Sequence, residues 1–262
     1  TASGISRDFA ETLMKARLGD SDAQVAVGDM YMDGKGVIQN YQAAMDWYLK
    51  AAEQKNPASL CNIGYLHEQG LGVTQNYSTA MKWYFMAAEQ GRSAAQHNIG
   101  LFYRLGQGVP QDYSKAMEWY LKAADQGNAG AQQSIGLLYQ DGLGVLQDYT
   151  KAMEWYLKAA DQGDAPAQCN IGTMYDLGQG VPRDDAQAVD WYRKAAEKGL
   201  AAAQHNLGIL YNVGQGVPKD QAKAMGWYKK AADQGHEMAK SAVDILEREG
   251  KRKKGLLRRI FS

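Results

Sequence analysis

Residues 131–163 run Ala131-x3-Ile135-Gly136-x2-Tyr139-x2-Gly142-x-Gly144-Val145-x2-Asp148-x2-Lys151-Ala152-x2-Trp155-Tyr156-x-Lys158-Ala159-Ala160-x2-Gly163, and the reading of this stretch decides the fold. Ala131, Ile135, Gly136 and Tyr139 fall at the steps of one helix face. Gly142 lies just past that face, where a glycine accepts the left-handed backbone that ends a helix. Gly142-Leu143-Gly144-Val145 then turns the chain. Asp148 is placed to cap the next helix, its carboxylate accepting the first backbone N–H groups. Ala152, Trp155, Tyr156, Ala159 and Ala160 make one broad apolar face, and Gly163 ends the second helix. The stretch predicts helix A, a tight turn, helix B and a short turn.

The pattern recurs in strict register. Trp47, Trp83, Trp119, Trp155, Trp191 and Trp227 are 36 residues apart, and a tyrosine follows each. Gly28, Gly64, Gly100, Gly136, Gly172 and Gly208 keep the same step, as do the Gly-x-Gly-Val turns. The helix-B cap column reads Asn40, Asn76, Asp112, Asp148, Asp184, Asp220. One helix pair of this size cannot bury both its faces, whereas stacked pairs cover one another. The predicted fold is therefore all-α: an α/α superhelical solenoid of six 36-residue helix pairs with a half-repeat helix at each end. Residues 5–19 align with a lone helix B. Residues 236–249 align with a lone helix A in which Glu237, Asp244 and Glu247 replace small or aromatic residues, as suits a polar cap. The expected organisation is a solenoid over residues 1–250 and a basic amphipathic tail over 251–262.

Composition narrows the function. The 262 residues carry 29 basic and 29 acidic side chains, so there is no body-wide basic surface and no nucleic-acid partner is expected. With 45% apolar and 22% charged residues there is ample material for a core. No run of about 18 apolar residues could span a membrane. Cys61 and Cys169 are three repeats apart and too distant to pair, which points to a reducing, cytoplasmic location. The chain opens on Thr1, so a processed start leaves a secreted or organellar location open. No zinc-ligand spacing or nucleophile motif is present, so no metal, cofactor or catalytic residue is expected.

The motif quoted above resembles the Sel1-like repeat, a relative of the tetratricopeptide repeat with a longer loop between its helices. The resemblance covers residues ~5–249 and implies an α/α superhelix used as a protein-interaction scaffold. Cysteine-rich members of the family have been credited with hydrolase activity and carry a disulfide in each unit; this chain departs from them in having two cysteines. Some chitin-synthase regulators with these repeats end in a prenylation box, whereas this sequence closes Ile260-Phe261-Ser262 without a cysteine.

In the related repeat, ligand contacts come from one stripe of helix A, spanning the columns three before and one, four and five after the repeated glycine. The candidates that the resemblance implies are Asp29, Met32, Tyr65, Glu68, His97, Leu101, Arg104, Gln133, Leu137, Gln140, Thr173, Asp176, His205, Ile209 and Asn212. The fourth column reads Asp33, Gln69, Leu105, Asp141, Leu177 and Val213. Apolar area beside amides suits an extended or helical peptide, and a merely solvated concave face is the competing reading. Residues 248–262 hold seven basic groups against Glu249 alone. Lys251, Arg252, Lys253, Lys254, Arg258 and Arg259, followed or interleaved by Leu256, Leu257, Ile260 and Phe261, suit an interfacial anchor, a localisation signal, a partner helix, docking on an acidic solenoid, or a solvated tail. The reading is a non-enzymatic adaptor that binds a protein or peptide segment. Peripheral association with an acidic membrane surface is the alternative, and a hydrolase of the cysteine-rich type the remote one.

Overall fold

The computed structural model describes residues 6–260, with side chains described through residue 252. The described residues form fourteen α-helices and no strand. The chain divides into two compact units, residues 1–131 and 132–262. The first holds α1 (Arg7–Arg17) and three helix pairs. These are α2 (Ser21–Asp33) with α3 (Tyr41–Glu53), α4 (Pro57–Gln69) with α5 (Tyr77–Glu89), and α6 (Ser93–Leu105) with α7 (Tyr113–Ala124). The second holds most of α8 (Ala129–Asp141), paired with α9 (Tyr149–Asp161). It continues with α10 (Ala165–Leu177) and α11 (Asp185–Glu197), then α12 (Ala201–Val213) and α13 (Gln221–Asp233), and closes on α14 (Glu237–Ile260). Within each unit, successive helices pack on their neighbours in chain order. Helix α1 is a lone helix B and α14 a lone helix A, as expected.

Local chemistry fixes the helix ends. Each helix B from α3 to α13 starts on its Asx residue, and α1 on Ser6; the Asp148 carboxylate accepts the Lys151 N–H at 3.0 Å, and Asn40 accepts that of Ala43 at 3.0 Å. Helix A is less uniform: Asp20, Asn56 and Asp164 cap through their side chains, while Arg92 and Leu200 occupy that position without a side-chain bond. Each helix A from α2 to α12 ends on a left-handed glycine such as Gly178, φ 67°, whereas α14 runs on through Gly250. The next turn glycine is demanded by tertiary approach as well as by φ. At Gly180 (φ 71°) a Cβ would lie 2.7 Å from the Cβ of Tyr149, so the loop can rest on the preceding helix B only if that side chain is missing.

The two helices of a pair meet where the repeated glycine lets the repeated tyrosine in. Tyr48, Tyr84, Tyr120 and Tyr156 are among the largest fully buried side chains. A Cβ on Gly136 would lie 2.5 Å from the Tyr156 ring, and one on Gly64 would lie 2.8 Å from that of Tyr84. The tryptophans are half-buried, and five of the six carry a lysine ammonium 3.8–4.2 Å above the ring. The exception is Trp83, against which Phe85 and Met86 replace the usual Leu-Lys; Phe85 instead packs edge-on to Trp119 at 5.5 Å.

A polar clip also joins neighbouring pairs. Gln204 donates to the Ala196 carbonyl at 3.1 Å, and its own Oε1 accepts from Gln234 at 2.8 Å. The same glutamine–glutamine bond recurs as Gln54–Gln24, Gln126–Gln96 and Gln162–Gln132. One copy is broken. Lys198 stands where the second glutamine belongs and donates to the Gly163 carbonyl instead, so Gln168 Oε1 is buried without a partner.

Two predictions follow from this packing. Gly136→Ala forces a methyl into a ring that is itself fully enclosed, and should cost about 1–2 kcal/mol net of the better helix propensity. Gly226→Ala, in α13 with nothing within 4 Å of the added methyl, should stabilise by about 0.5–1 kcal/mol. Urea denaturation of the two variants checks the pair, and equal signs for both would refute the account. Separately, Lys198→Gln should restore the missing donor to Gln168 and raise stability by about 1 kcal/mol; a lower melting temperature than the parent chain would contradict this.

Candidate functional site

The stripe columns are separated by four, three and one residues along each helix A, which groups them toward one side of it. In the first unit they come from α2, α4 and α6. Tyr65 is 42% exposed, Asp29 is exposed, and Met32, Glu68, Leu101 and Arg104 are half-buried. In the second unit they come from α8, α10 and α12. There Ile209 is exposed, and Gln133, Leu137, Gln140, Thr173, Asp176 and Asn212 are half-buried. The fourth column is more open: Leu105, Leu177 and Val213 are all exposed.

The column before the glycine departs from expectation. His205 is 8% exposed; its ring lies 5.7 Å from Tyr228 and stacks on His236 at 4.7 Å. It is an interior residue and not part of an accessible stripe, because three residues before the glycine the helix faces its own helix B. Val25, Cys61 and Cys169 are buried at the same position. His97 is half-buried, with Tyr120 at 5.6 Å. Burial, and secondarily the Arg104 guanidinium, pushes its pKa down to about 4. Burial lifts both cysteine thiols to about 11, so they are protonated and weak nucleophiles near neutral pH.

Four polar residues of the stripe are held from beneath. The phenol of the buried tyrosine passes under helix A and meets the stripe: Tyr48 donates to Asp29 at 2.7 Å, Tyr84 to Glu68, and Tyr156 to Gln140 at 2.7 Å. Thr173 and Tyr192 share a hydrogen bond of 3.0 Å. Asp29 also accepts from Asn62 at 3.0 Å, and Asp176 accepts from Gln215 at 2.7 Å. Burial raises the pKa of Asp29 against the lowering effect of the Tyr48 bond, with the Asp33 charge adding to the rise. Sequence reasoning identified these tyrosines as core and overlooked their hydroxyls. The signal was available, since a buried tyrosine needs a partner for its O–H.

The first unit also has a groove of about 280 Å³ lined by Asp8, Thr12, Asp29, Asp33 and Lys35, so this end of the stripe is acidic. Among the described residues, no three His, Cys, Asp and Glu side chains are grouped to hold a metal ion. No described helix is long and apolar enough to cross a membrane. In the basic segment, Lys251 and Arg252 are exposed, and the backbone of α14 is helical through Ile260. The side chains of Lys253, Lys254, Arg258 and Arg259 lie outside the described residues, as does Phe261.

Caps, turn glycines and stacked helix pairs define the class: an all-α helical-repeat protein. The Sel1 repeat model matches residues 21–56, 57–91, 93–128, 129–164, 165–200 and 201–236, and the chain belongs to that family. Among solved structures it is similar to a Sel1 repeat protein from Oxalobacter formigenes, with 39% identity over 84% of this chain and 86% of that one, TM-score 0.72. It is also similar to a protective antigen of uropathogenic Escherichia coli strains with an SLR fold, with 36% identity and TM-score 0.75. That match covers 92% of this chain and 52% of the antigen, so the chain spans about half the antigen's length. Yeast Tom70 shares the fold alone, at 12% identity and TM-score 0.56 over 94% of this chain and 58% of that one. No curated protein is significantly similar to the chain.

The His97 environment makes stability pH-dependent in a defined direction. The fold holds the imidazole neutral, while the unfolded chain takes up a proton below about pH 6.5. Stability from this residue is therefore present above that value and lost as pH falls toward 4. Between about pH 7.5 and 4.5 the parent chain should lose on the order of 2 kcal/mol more than His97→Gln. Urea unfolding at both pH values tests this, and parallel losses would show that the histidine is not the cause.

Proposed function

We propose that the chain is a non-enzymatic scaffold that binds a segment of another protein along the helix-A stripe. Proteins built from Sel1 and related helical repeats generally mediate protein–protein interaction. The observation that carries the reading is the mixture in each unit of open apolar side chains with polar ones already anchored. Tyr65 and Leu105 in the first unit, and Leu177, Ile209 and Val213 in the second, offer apolar area to a partner. Glu68, Gln140 and Thr173 are held in place by phenols below, so less side-chain freedom is lost when a partner binds. The remaining lone pairs and N–H groups of these side chains suit the main chain of a peptide.

The test is affinity capture with the purified chain and with a variant carrying Tyr65→Ala, Leu101→Ala, Ile209→Ala and Asn212→Ala. A second variant changes Leu49 and Leu157, exposed side chains of helix B, to Ala. Circular dichroism should report both as folded. The stripe variant should lose captured partner by at least about tenfold, the scale of a few interface hot spots, and the helix-B variant should keep it. Full retention by the stripe variant would end the proposal.

A further inference from the structure

The two lone helices at the ends carry complementary exceptions to the repeat. In an inner pair the antiparallel helices meet in a fixed register. Gly28 of α2 faces Tyr48 of α3, and Val25, Met32, Ala44 and Ala51 join the same apolar cluster, so an antiparallel register counted from the Gly28–Tyr48 contact sets Val25 opposite Ala51 and Met32 opposite Ala44. Helix α1 is a helix B one repeat earlier, so Asp8, Thr12 and Lys15 stand where Ala44, Tyr48 and Ala51 stand in α3. Helix α14 is a helix A six repeats later than α2, so Ser241, Asp244 and Arg248 stand where Val25, Gly28 and Met32 stand. Asp8 and Lys15 of α1 are exposed and Thr12 is half-buried, while Ser241, Asp244 and Arg248 are all exposed.

These exceptions match across the same register. Thr12 and Asp244 invert the inner pair's sizes: the large tyrosine becomes a small hydroxyl, which in the isolated chain donates to the Asp8 carbonyl at 2.9 Å, and the glycine becomes a carboxylate to which that hydroxyl can turn. Arg248 falls opposite Asp8. At the far end of the pair, Leu18 takes the place of Gln54 and Met238 that of Asp22. They are 87% and 63% exposed, an apolar side chain on each of the two end helices. A fourth match comes from the contact between successive helices B, where Phe85 packs on Trp119. The equivalent positions at the ends are Lys229 and Glu11, again of opposite charge; in the isolated chain Lys229 reaches Glu247 and Glu11 reaches Arg7. A face meant only to meet water needs polarity, but it needs no matched size, sign and apolar contact.

We propose that α14 of one copy packs against α1 of a second copy as a further helix pair, so that chains associate head to tail. The contact uses different patches on the two copies and is heterologous, so it closes into a ring or runs on as a filament. It adjoins the acidic end of the helix-A stripe, where Asp8 and Thr12 line a groove with Asp29, and uses none of the side chains changed in the stripe variant.

Sedimentation velocity of the full chain, from micromolar to near-millimolar concentration, reads the association directly. Mass should grow with concentration. Asp8→Arg with Glu11→Arg, and separately Lys229→Asp with Arg248→Asp, should each raise the dissociation constant at least about tenfold, because like charges then face each other. An equimolar mixture of the two variants regains an opposite-charge pairing at every joint and should associate as the parent does. This recovery is the decisive arm, since loss of folding in either variant would prevent it. A parent chain that stays monomeric throughout, association indifferent to both variants, or a mixture that fails to recover would each overturn the proposal. The stripe variant described above should associate normally.

Discussion

The contact between the helix-A glycine and the helix-B tyrosine governs the rest of the structure. It brings the two helix axes close enough to enclose an aromatic ring completely, as Tyr156 is enclosed over Gly136. That closeness carries the phenolic oxygen through to the opposite side of helix A, where it meets the stripe. A single interaction therefore sets the spacing within a pair and positions the polar groups on the surface we assign to a partner. The alternative of a bulkier residue at the glycine would separate the helices and withdraw the hydroxyl from the stripe.

Regularity along the chain has two different causes. The capping Asx, the left-handed glycine and the tyrosine solve problems that every pair poses alike, and so they barely vary. The glutamine clip is freer, because a neighbouring carbonyl offers an alternative acceptor. Where Lys198 replaces the glutamine it finds such a carbonyl, and Gln168 is the group left unsatisfied. At the two ends the repeated solution is abandoned altogether. Thr12 and Asp244 occupy the tyrosine and glycine positions, which shows that those positions hold their residues only where a partner helix is present in the same chain.

The stripe is less uniform than its columns suggest. Its outermost column exposes leucine and valine beside Asp33, Gln69 and Asp141, its middle columns hold anchored polar groups, and its innermost column is buried in four of six copies. The buried stack of His205 on His236 belongs to that last group, and its chemistry is that of packing. An account of binding that treated all four columns alike would assign interior residues to the surface.

Helix boundaries up to the end of α13, the order of pairs and the identity of the end helices were legible in the sequence, because caps and turn glycines act over three or four residues and the 36-residue step keeps them in register, whereas α14 runs past the expected end at 249 to Ile260. The candidate stripe was legible as a set of columns through its resemblance to a known repeat. What only the tertiary structure decided is which of those columns face solvent and which polar groups are already engaged. Tyr48 and Asp29 are 19 residues apart and Tyr84 and Glu68 are 16, and no local pattern connects them. They meet because the glycine lets two helices approach, and that approach is a property of packing, which a single helix cannot express.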